Sequence, residues 1–424
     1  MWIGIDDTDS RRGGCTTYLS NRIREAFPEL TLAQPPSLVR LNPMVPWKTR
    51  GNGAVAMRFE GALSLDEAYR RVESVVRTLC DLSDADTNPG IVVARRPPPR
   101  SFYEAAVRRI VTRAEADAAL AGCDARAGGF NGALGVIGAT AAVAWTPDAN
   151  ASWELVAYRA RNRWGSPRAV DARSVADMAT AFPSTFDSYD FENDEVVMVP
   201  GSPCPVLWGI RGDDPEDLPQ AAARVRGEVP SERTLFRTNH GTDDHLVSRR
   251  VADIGTFESV RVAGRVTSRP ENLPGGHVRF DLEDSTGTVT CLAFEPTKGF
   301  RHVVRKLSAG DGIVACGGVG PRRAIHLEKL CVQALAAPRP RAVENPRCPS
   351  CGRAAKSAGA LAPYRCRRCG VRIPRGAAVL AAAPRELAPG WYEVPARARR
   401  HLAMPLARAT RRNLLPPAPA LLAA

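Results

Sequence analysis

The stretch WIGIDDTDSRRGGCTTYL, residues 2–18, decides how the N-terminal part of the chain folds. Its apolar residues 2–5 predict a short strand, and its polar residues 6–14 predict a loop with three aspartates and two adjacent glycines. The helical spacing of the apolar residues after Cys15 predicts a helix directly behind this loop. Because clustered carboxylates repel one another, a fold keeps them together where a cation or backbone N–H groups offset their charge.

The three aspartates, Asp6, Asp7 and Asp9, lie where the end of a strand can hold Mg²⁺. This ion binds few protein oxygens and shares its other positions with water and phosphate. Gly14 allows a tight turn, and a helix starting near Thr16 presents free N–H groups to a phosphate. The pattern indicates a magnesium–phosphate site. An Asx-turn loop with a threonine N-cap explains the same residues equally well, and this stretch alone leaves both readings open.

A second loop carries residues suited to phosphate. The sequence KTRGNG places a lysine and an arginine beside glycines, and we interpret it as the other wall of a phosphate site. Its residues are Lys48, Arg50, Gly51, Asn52 and Gly53. The loop differs from the P-loop pattern, so it is a weak signal by itself. Residues 64–82 then begin with a capping box, Ser64 and Glu67, and predict an amphipathic helix. The order of strands and helices is that of an α/β or α+β domain.

A second α+β unit is expected over residues 128–239. Its strand candidates are LGVIGATAAVAW (134–145), WELVAYRA (153–160) and EVVMVP (195–200), and SVADMATAF (174–182) is a helix candidate.

Acidic residues cluster near the end of this unit. The acidic block, residues 187–195, includes Asp187, Asp190 and Asp194, and a proline-rich turn follows it; the turn residues of interest are Pro203, Cys204 and Gly209. An acidic pocket beside aromatic residues suits a small organic cation. A solvated acidic loop is the commoner explanation for such a cluster.

The region 258–335 changes to a pattern of short strands. The candidates are SVRVAGRVTS, HVRFDLED, GTVTCLAF, GIVACGGVG and AIHLEKLCVQ, with the helical segment PTKGFRHVVRKL between the third and the fourth. Residues 284–287, with the sequence DSTG, predict a hairpin turn between the second and third strands. Three strands, a helix and two strands is the order of an OB-fold barrel.

Paired cysteines give the strongest single signal in the chain. CPSC contains Cys348 and Cys351, and CRRC contains Cys366 and Cys369, with fourteen residues between the pairs. Four thiolates on two turns suit a tetrahedral Zn²⁺ site without an open position, which is structural rather than catalytic. An iron–sulfur cluster or two redox disulfides are the alternatives.

The positive charge lies at the C-terminal end. The net charge is +13, and from residue 336 onward there are 17 basic residues and 3 acidic ones, which leaves 41 and 42 in the rest of the chain. A basic module on a neutral body favours a polyanionic partner. The residues predicted to contact nucleic acid are Arg279 and Phe280 of the barrel and Arg365, Arg367 and Arg368 beside the cysteines. A solvated basic tail, or a barrel that only binds protein, explains the same pattern.

The chain of 424 residues is too long for one core, and 44% hydrophobic with 24% charged residues is the composition of a globular protein. Its longest uncharged apolar run, residues 130–145, is shorter than the roughly 20 residues that cross a bilayer. The N-terminus reads as a strand rather than a signal, and the scattered cysteines suit a reducing compartment. We therefore expect a cytoplasmic protein without a membrane segment.

Several motifs together resemble one family, the archaeal tRNA(Ile) 2-agmatinylcytidine synthetases. The motifs are GIDDTDS, GGCTTYL, RLNP, KTRGNGA, TNPG, TFDSYDFENDEVV, PCPVLWGIRG, TNHGTDDHL, GGHVRFDL, AFEPTKGFR, CPSCGR with CRRCG, and PGWYEVPARARRHL. The resemblance implies a multidomain α+β protein with a kinase-like α/β N-terminal domain, a ferredoxin-like α+β domain, an OB-fold barrel and a C-terminal zinc ribbon. The expected boundaries are 1–125, 126–245, 255–336 and 345–424.

The resemblance also implies a reaction. The family uses ATP to phosphorylate the C2 oxygen of the wobble cytidine in the isoleucine tRNA, tRNA(Ile), that has a CAU anticodon. Agmatine then displaces that oxygen, ATP ends as AMP and two phosphates, and decoding changes from AUG to AUA. In this chain Asp6, Asp7 and Asp9 match the Mg²⁺–ATP carboxylates, and Thr16 matches a threonine that the family phosphorylates on itself. The resemblance gives the acidic block and the turn at Cys204 a role in agmatine binding.

Two other functions remain open on the sequence alone. The first is a non-catalytic RNA- or single-stranded-DNA-binding protein, in which the N-terminal half is a scaffold. The second is an ATP-dependent RNA-modifying enzyme that uses another amine or another acceptor.

Overall fold

The structure is a computed structural model that describes residues 1–49, 51–337, 340–359, 362–382 and 385–414. Arg50, one of the predicted phosphate residues, lies outside the described residues. The N-terminal domain contains β1 (Trp2–Asp6), α1 (Thr16–Glu25), β2 (Thr31–Leu32), β3 (Ser37–Arg40), β4 (Gly53–Glu60), α2 (Leu65–Leu79), β5 (Gly90–Ala94), α3 (Arg100–Arg108), α4 (Arg113–Leu120) and β6 (Ala125–Gly129).

The predicted strand and helices of the N-terminal segment are confirmed. β1 pairs with β4 on one side and β5 on the other, because its apolar side chains are buried on both faces of the sheet. Ser64 caps α2 by accepting the N–H of Glu67. The Glu67 carboxylate pairs with Arg71 at 2.8 Å, so the structure contains half of the predicted capping box.

The second domain contains α5 (Gly135–Ala144), β7 (Ser152–Tyr158), α6 (Ala172–Ala181), β8 (Thr185–Phe186), β9 (Tyr189–Asp190), β10 (Glu195–Val196), β11 (Val206–Gly212), α7 (Asp217–Arg224) and β12 (Glu232–Thr238). The strand predicted at 134–145 is wrong, because this segment forms α5. Nearly every residue of α5 is buried, so it has no polar face to give its pattern a helical period. The strand predicted at 195–200 is reduced to the two residues of β10.

The two domains share one sheet. The strand order is β6-β5-β1-β4-β3-β12-β7-β11-β8, and β2 adds to β4 outside this path, so the described residues form ten strands in one layer. The joint is the parallel pair of β3 and β12, in which Leu38 lies opposite Thr238. The ends of β1 and β3 therefore lie close to the strands of the second domain, which places residues from both domains around one cavity.

The third domain contains β13 (Leu246–Ser248), β14 (Ser259–Val266), β15 (Glu271–Asn272), β16 (Val278–Asp284), β17 (Gly287–Ala293), α8 (Phe300–Arg305), β18 (Gly312–Val319) and β19 (Ile325–Ala334). All five predicted strands and the predicted helix are confirmed. β14 pairs with both β16 and β18, and β17 pairs with β19, which closes the barrel of an OB-fold. Gly264 allows this closure, since a β-carbon there would lie 2.4 Å from the carbonyl oxygen of Glu283.

The C-terminal part contains β20 (Pro340–Glu344), β21 (Tyr364–Arg365), β22 (Arg372–Ile373), β23 (Val379–Ala382), β24 (Gly390–Glu393) and α9 (Leu406–Arg411). β20 pairs with β23, so the cysteine-containing segment leaves the barrel and comes back on adjacent strands. We call residues 390–414 the return segment. Its β24 pairs with β19, and the buried guanidinium of Arg408 donates to Asp213, Asn150 and the carbonyl oxygen of Gly241.

Among the described residues, no helix combines the length and the apolar character needed to cross a membrane.

Candidate active site

A cavity of about 340 Å³ lies where the two N-terminal domains meet the return segment. Predicted site residues that line it are Asp6, Asp7, Asp9, Thr16, Lys48, Gly51, Asn52, Gly53, Cys204 and Gly209. Pro203 lies between the lining residues Ser202 and Cys204, and its carbonyl oxygen would be 3.4 Å from a β-carbon at Gly13. The structure therefore brings together the loop with the three aspartates (residues 6–14, the aspartate loop), the loop KTRGNG (residues 48–53, the glycine loop) and the proline-rich turn.

The three aspartates are shielded from solvent: Asp6 is buried, and Asp7 and Asp9 are half-buried. Burial, followed by the neighbouring charge of Asp7, raises the pKa of Asp6 well above its ordinary value. Burial, with a contribution from Asp9, raises the pKa of Asp7 to about 6. Asp7 adopts a positive φ of 54° and accepts the N–H of Asn88 at 3.0 Å and the hydroxyl of Thr49 at 3.2 Å. A divalent cation would stabilise the ionised form of these carboxylates. Among the described residues, however, the three aspartates do not form a set whose oxygens all lie within 4.8 Å of one another.

The start of α1 also faces the cavity. Cys15 occupies the N-cap position, and within the described residues its side chain makes no capping hydrogen bond. The threonine N-cap considered above is therefore wrong, and Thr16 is the first helical residue. Its hydroxyl accepts the hydroxyl of Thr8 at 3.0 Å. Gly14 has a φ of +76°, and a β-carbon there would lie 3.1 Å from the carbonyl oxygen of Thr8, so the turn requires glycine.

The glycines of the second loop allow close contacts with side chains beneath it. A β-carbon at Gly51 would lie 2.8 Å from Nη1 of Arg40 and 2.9 Å from Nε2 of His401, and one at Gly53 would lie 2.7 Å from the same Nη1. Asn52 has a φ of +47° and donates to the carbonyl oxygen of Asn42 at 2.9 Å. Both glycines therefore bring the loop backbone against a guanidinium group.

Sequence reasoning missed the polar residues that complete the cavity wall. Arg40 ends β3, Glu154 lies in β7, Arg211 lies in β11, and His401 comes from the return segment. His240 packs behind them, with its ring stacked on His401 at a centroid distance of 5.2 Å. The sequence signal that could have found them is a charged residue within an apolar strand, Glu154 in WELVAYRA and Arg211 in VLWGIRG. A charge buried in a sheet needs a partner, so such residues indicate a polar site.

The acidic block does not line the cavity. Asp187 forms an ion pair with Arg399, and Glu195 forms one with Arg397. Asp190 accepts the backbone N–H of Arg397 at 3.1 Å, and Asp194 accepts the hydroxyl of Tyr189. Arginines of the return segment therefore neutralise part of the negative charge that we predicted to bind a small organic cation. The carboxylate that lines the cavity from the second domain is Glu154.

The four cysteines are arranged as a metal site requires. The sulfur atoms of Cys348, Cys351, Cys366 and Cys369 all lie within 4.8 Å of one another. Sγ of Cys351 is 3.6 Å from Sγ of Cys366, close to the roughly 3.8 Å between sulfurs in a tetrahedral zinc site with about 2.3 Å bonds. Backbone N–H groups, first that of Cys369, lower the pKa of Cys366 to about 7 and so favour its thiolate form. The residues present fit Zn²⁺.

Both cysteine turns have the same backbone geometry. The N–H of Gly352 bonds to the carbonyl oxygen of Cys348 at 2.8 Å, and the N–H of Gly370 bonds to that of Cys366 at 2.9 Å. Both glycines have a positive φ, 69° and 73°, as the predicted turns require.

Two aromatic residues are not available to nucleic acid. The prediction for Phe280 is wrong, because its side chain has no exposed surface and packs in the core of the barrel. Tyr364, considered as a stacking residue, is buried among the cysteines. Arg279 is about half exposed and lies 3.5 Å from Asp281. Arg365, Arg367 and Arg368 are exposed beside the cysteine turns, so a polyanion can reach them.

The fold and the cavity define a multidomain protein that joins a carboxylate-lined cavity of about 340 Å³ to an OB-fold barrel and a zinc ribbon. The chain is 39% identical to the tRNA(Ile) 2-agmatinylcytidine synthetase TiaS of Methanocaldococcus jannaschii, over 96% of this chain and 98% of that protein. It belongs to this TiaS family. The protein of the same name from Methanosarcina mazei is 41% identical, over 98% and 99% of the two chains.

Family models and solved structures agree with this membership. The matches are the TiaS TCKD domain at 2–131, the TiaS FLD domain at 134–245, an OB-fold nucleic acid binding domain at 260–329 and the TiaS C-terminal zinc ribbon domain at 345–387. The fold is similar to a crystal structure of TiaS with tRNA(Ile) and ATP, with a TM-score of 0.86 and 39% identity over 96% of this chain and 97% of that one. For the complex of TiaS with tRNA(Ile), AMPCPP and agmatine the TM-score is 0.82, with 37% identity over 96% of each chain.

Proposed function

We propose that the protein is an ATP-dependent ligase that forms 2-agmatinylcytidine at the wobble cytidine of tRNA(Ile) with a CAU anticodon. Relatives with this activity in their name cover nearly the whole chain, and similar structures contain tRNA(Ile), ATP and agmatine. The observation that carries the proposal is the single cavity lined by both the aspartate loop and the turn with Cys204 and Gly209. One cavity for two substrates is what a transfer through an activated intermediate needs. The protein is expected to act in the cytoplasm.

The aspartate loop is the proposed nucleotide site. Asp6, Asp7 and Asp9 would hold Mg²⁺, which supplies neutralisation of the polyphosphate charge when it is bound. The uncapped start of α1 and residues 51–53 would bind phosphate oxygens through backbone N–H groups, and Lys48 would add a positive charge. Thr16 has a hydroxyl on the cavity wall, which supports the proposal that it accepts a phosphoryl group from ATP.

In the proposed reaction, phosphorylation converts the C2 oxygen of cytidine, a poor leaving group, into a phosphate, which is a good one. ATP phosphorylates the C2 oxygen of the cytidine, and the amine of agmatine then attacks C2. The C2–O bond breaks, phosphate leaves with the oxygen, and a C–N bond remains. Water takes up the other of the two outer phosphoryl groups of ATP, so that AMP and a second phosphate are released. The cytidine has to leave the anticodon stack to reach the cavity, which gives the barrel and the ribbon a role in holding the loop.

Agmatine binding is proposed for the wall formed by Cys204 and Gly209, next to Glu154. A β-carbon at Gly209 would lie 2.5 Å from Oε1 of Glu154, so the glycine gives this carboxylate room at the wall. A contribution of Asp187, Asp190 and Asp194 remains a prediction, and it would require their contacts with the return segment to rearrange.

The test is to incubate the protein with ATP, Mg²⁺, agmatine and an unmodified tRNA(Ile) transcript with a CAU anticodon, and to weigh the anticodon nucleosides. We expect cytidine to gain the mass of agmatine less water, and AMP to form in the same amount. Two controls test the alternative of an RNA-modifying enzyme that uses another amine: in one agmatine is omitted, and in the other it is replaced by putrescine. AMP formation with putrescine and no gain with agmatine would contradict the proposal.

The Asp7→Asn variant tests the non-catalytic alternative. It should lower ATP consumption by about 100-fold or more and leave tRNA affinity nearly unchanged. Asp117→Asn, at an exposed position on α4, is the matched control. If Asp7→Asn consumes ATP as fast as the wild-type protein does, the proposed Mg²⁺ site at the aspartates is wrong.

A further inference from the structure

Among the described residues, three arginines line the cavity that contains the aspartates, and one of them, Arg109, is paired with Glu115 at 2.6 Å. Arg40 and Arg211 come from β3 and β11, one on each side of the joint between the domains. Nε of Arg40 donates to Nε2 of His240 at 2.6 Å. Among the described residues, no carboxylate oxygen lies within ion-pair distance of the Arg40 side chain. Arg40 is half-buried beside the cavity, and a guanidinium that is shielded from water without an ion pair is costly unless a ligand supplies the anion.

Two histidines hold these guanidiniums. Arg211 donates to Nδ1 of His401 at 3.0 Å, since arginine has no acceptor. Burial and the two arginines lower the pKa of His240 and of His401 well below the ordinary value, so both rings are neutral acceptors. Their ring planes are 17° apart. Each imidazole therefore fixes one arginine, and the stack fixes the imidazoles relative to each other.

Glu154 connects the two halves of this arrangement. Its Oε1 lies 3.4 Å from Nε of Arg211, and its Oε2 lies 3.1 Å from Nδ1 of His240. This carboxylate therefore lies beside one guanidinium and one imidazole. The loop with Gly51 and Gly53 lies against Arg40, since a β-carbon at Gly53 would be 2.7 Å from its Nη1.

The return segment supplies a part of this arrangement that no family-model match covers. The last match ends at residue 387, and His401 follows it. Its neighbours are fixed by their own contacts: Arg399 pairs with Asp187, and Arg400 donates to Sδ of Met44 at 3.0 Å. The return segment therefore holds His401 against the glycine loop by contacts that lie outside the cavity.

We propose that Arg40 and Arg211 form a phosphate-binding site in the cavity, and that His240 and His401 are the positioning residues that aim the two guanidiniums. The planar fork of arginine matches phosphate oxygens, and a phosphate would provide the anion that Arg40 lacks. The phosphate belongs either to the nucleotide or to the tRNA backbone. The assignment to ATP rests on the proposed function, whereas the phosphate site itself does not.

The binding test uses Arg40→Gln and Arg211→Gln. We measure the affinity for AMPCPP with Mg²⁺ by calorimetry and the affinity for the tRNA transcript by filter binding. Removing one charge-assisted hydrogen bond weakens binding by about 10- to 100-fold. Arg70→Gln, exposed on α2, is the control. Weaker binding of AMPCPP assigns the site to the nucleotide, and an effect confined to tRNA assigns it to a backbone phosphate. Unchanged affinity in both arms overturns the proposal.

The positioning role predicts which substitutions rescue. In His401→Asn the amide oxygen can take the place of Nδ1, and in His240→Gln it can take the place of Nε2. Both should keep nucleotide affinity within a few-fold, whereas His401→Ala and His240→Ala should raise the KM for ATP about tenfold or more. Equal effects of the alanine and amide variants, with equal thermal stability, would contradict positioning.

A second variant covers the case in which removing one of these arginines prevents folding. Gly51→Ala keeps every charge and puts a methyl group against Nη1 of Arg40 and Nε2 of His401. Its affinity for AMPCPP or for tRNA should fall, and unchanged affinity for both would overturn the site. If the wild-type protein binds neither AMPCPP nor ATP, the proposed function fails instead.

Discussion

The carboxylate of Asp6 lies directly against the backbone of Gly138: a β-carbon at residue 138 would be 1.8 Å from Oδ2 of Asp6. Asp6 ends β1, and Gly138 lies in the first half of α5, which belongs to the second domain. The buried helix α5 therefore packs directly beneath the aspartate loop. This contact requires glycine at position 138, because any side chain there would displace the carboxylate of Asp6.

Gly138→Ala should displace this carboxylate. The variant gains helix propensity of up to about 1 kcal/mol, so a loss of function would not follow from a weaker helix. We expect ATP consumption to fall by at least about tenfold, while tRNA affinity stays near that of the wild type. ATP consumption and tRNA filter binding measure the two effects. Gly122→Ala is the control, because a β-carbon there has no neighbour within 4 Å among the described residues.

Thr16 can be tested as a phosphoryl carrier. If its hydroxyl accepts phosphate, Thr16→Ala should lose incorporation of label from γ-labelled ATP and lose product formation, and Thr16→Ser should retain both. A purely structural role would show instead as a lower melting temperature, because the variant removes the acceptor of the Thr8 hydroxyl. Full activity of Thr16→Ala would contradict the carrier role.

Zinc removal should affect the ribbon and leave the cavity intact. We expect about one zinc ion per chain by metal analysis, and Cys366→Ser should lose it, because a tetrahedral site needs all four thiolates. The affinity for tRNA should then fall by at least about tenfold, while AMPCPP affinity is retained. Cys80→Ser, at a half-buried cysteine outside the ribbon, is the control. A wild-type protein without zinc would contradict the assignment.

The exposed arginines of the ribbon should act through phosphate charge. Replacing Arg367 and Arg368 by glutamine should weaken tRNA binding and reduce the slope of log K against log salt by about 0.7 for each phosphate that is no longer neutralised. Arg70→Gln and Arg77→Gln together provide a charge-matched control on α2. An unchanged slope would mean that tRNA does not contact these two residues.

Local patterns predicted much of the fold correctly. The barrel strands alternate buried and exposed residues, for example in Val278–Asp284, and such alternation is visible without any tertiary information. The cysteine turns depend on a spacing and on a glycine with positive φ, which are also local. The helix α5 was mistaken for a strand because it is apolar on every side, and periodicity cannot separate a buried helix from a buried strand.

The site was predicted only in its local parts. The aspartate loop and the glycine loop are short motifs whose chemistry depends on neighbouring residues. We predicted that Phe280 contacts RNA, because the sequence does not show which face of the barrel a strand residue lies on. In the structure the register of β16 directs its side chain into the core of the barrel. The charge of Asp187 looked available because its partner, Arg399, is far away in the sequence.

The sequence by itself determined the order of the modules and the four cysteines of the zinc ribbon, because each depends on residues that are neighbours along the chain. Only the tertiary structure decided which charges face the cavity. Arg40, Glu154, Arg211 and His401 come from three strands and the return segment, and they meet because β3 pairs with β12 and the return segment packs against both domains. The physical reason is that the cost of a buried charge depends on what lies within a few ångströms, and that distance is not encoded by position in the chain.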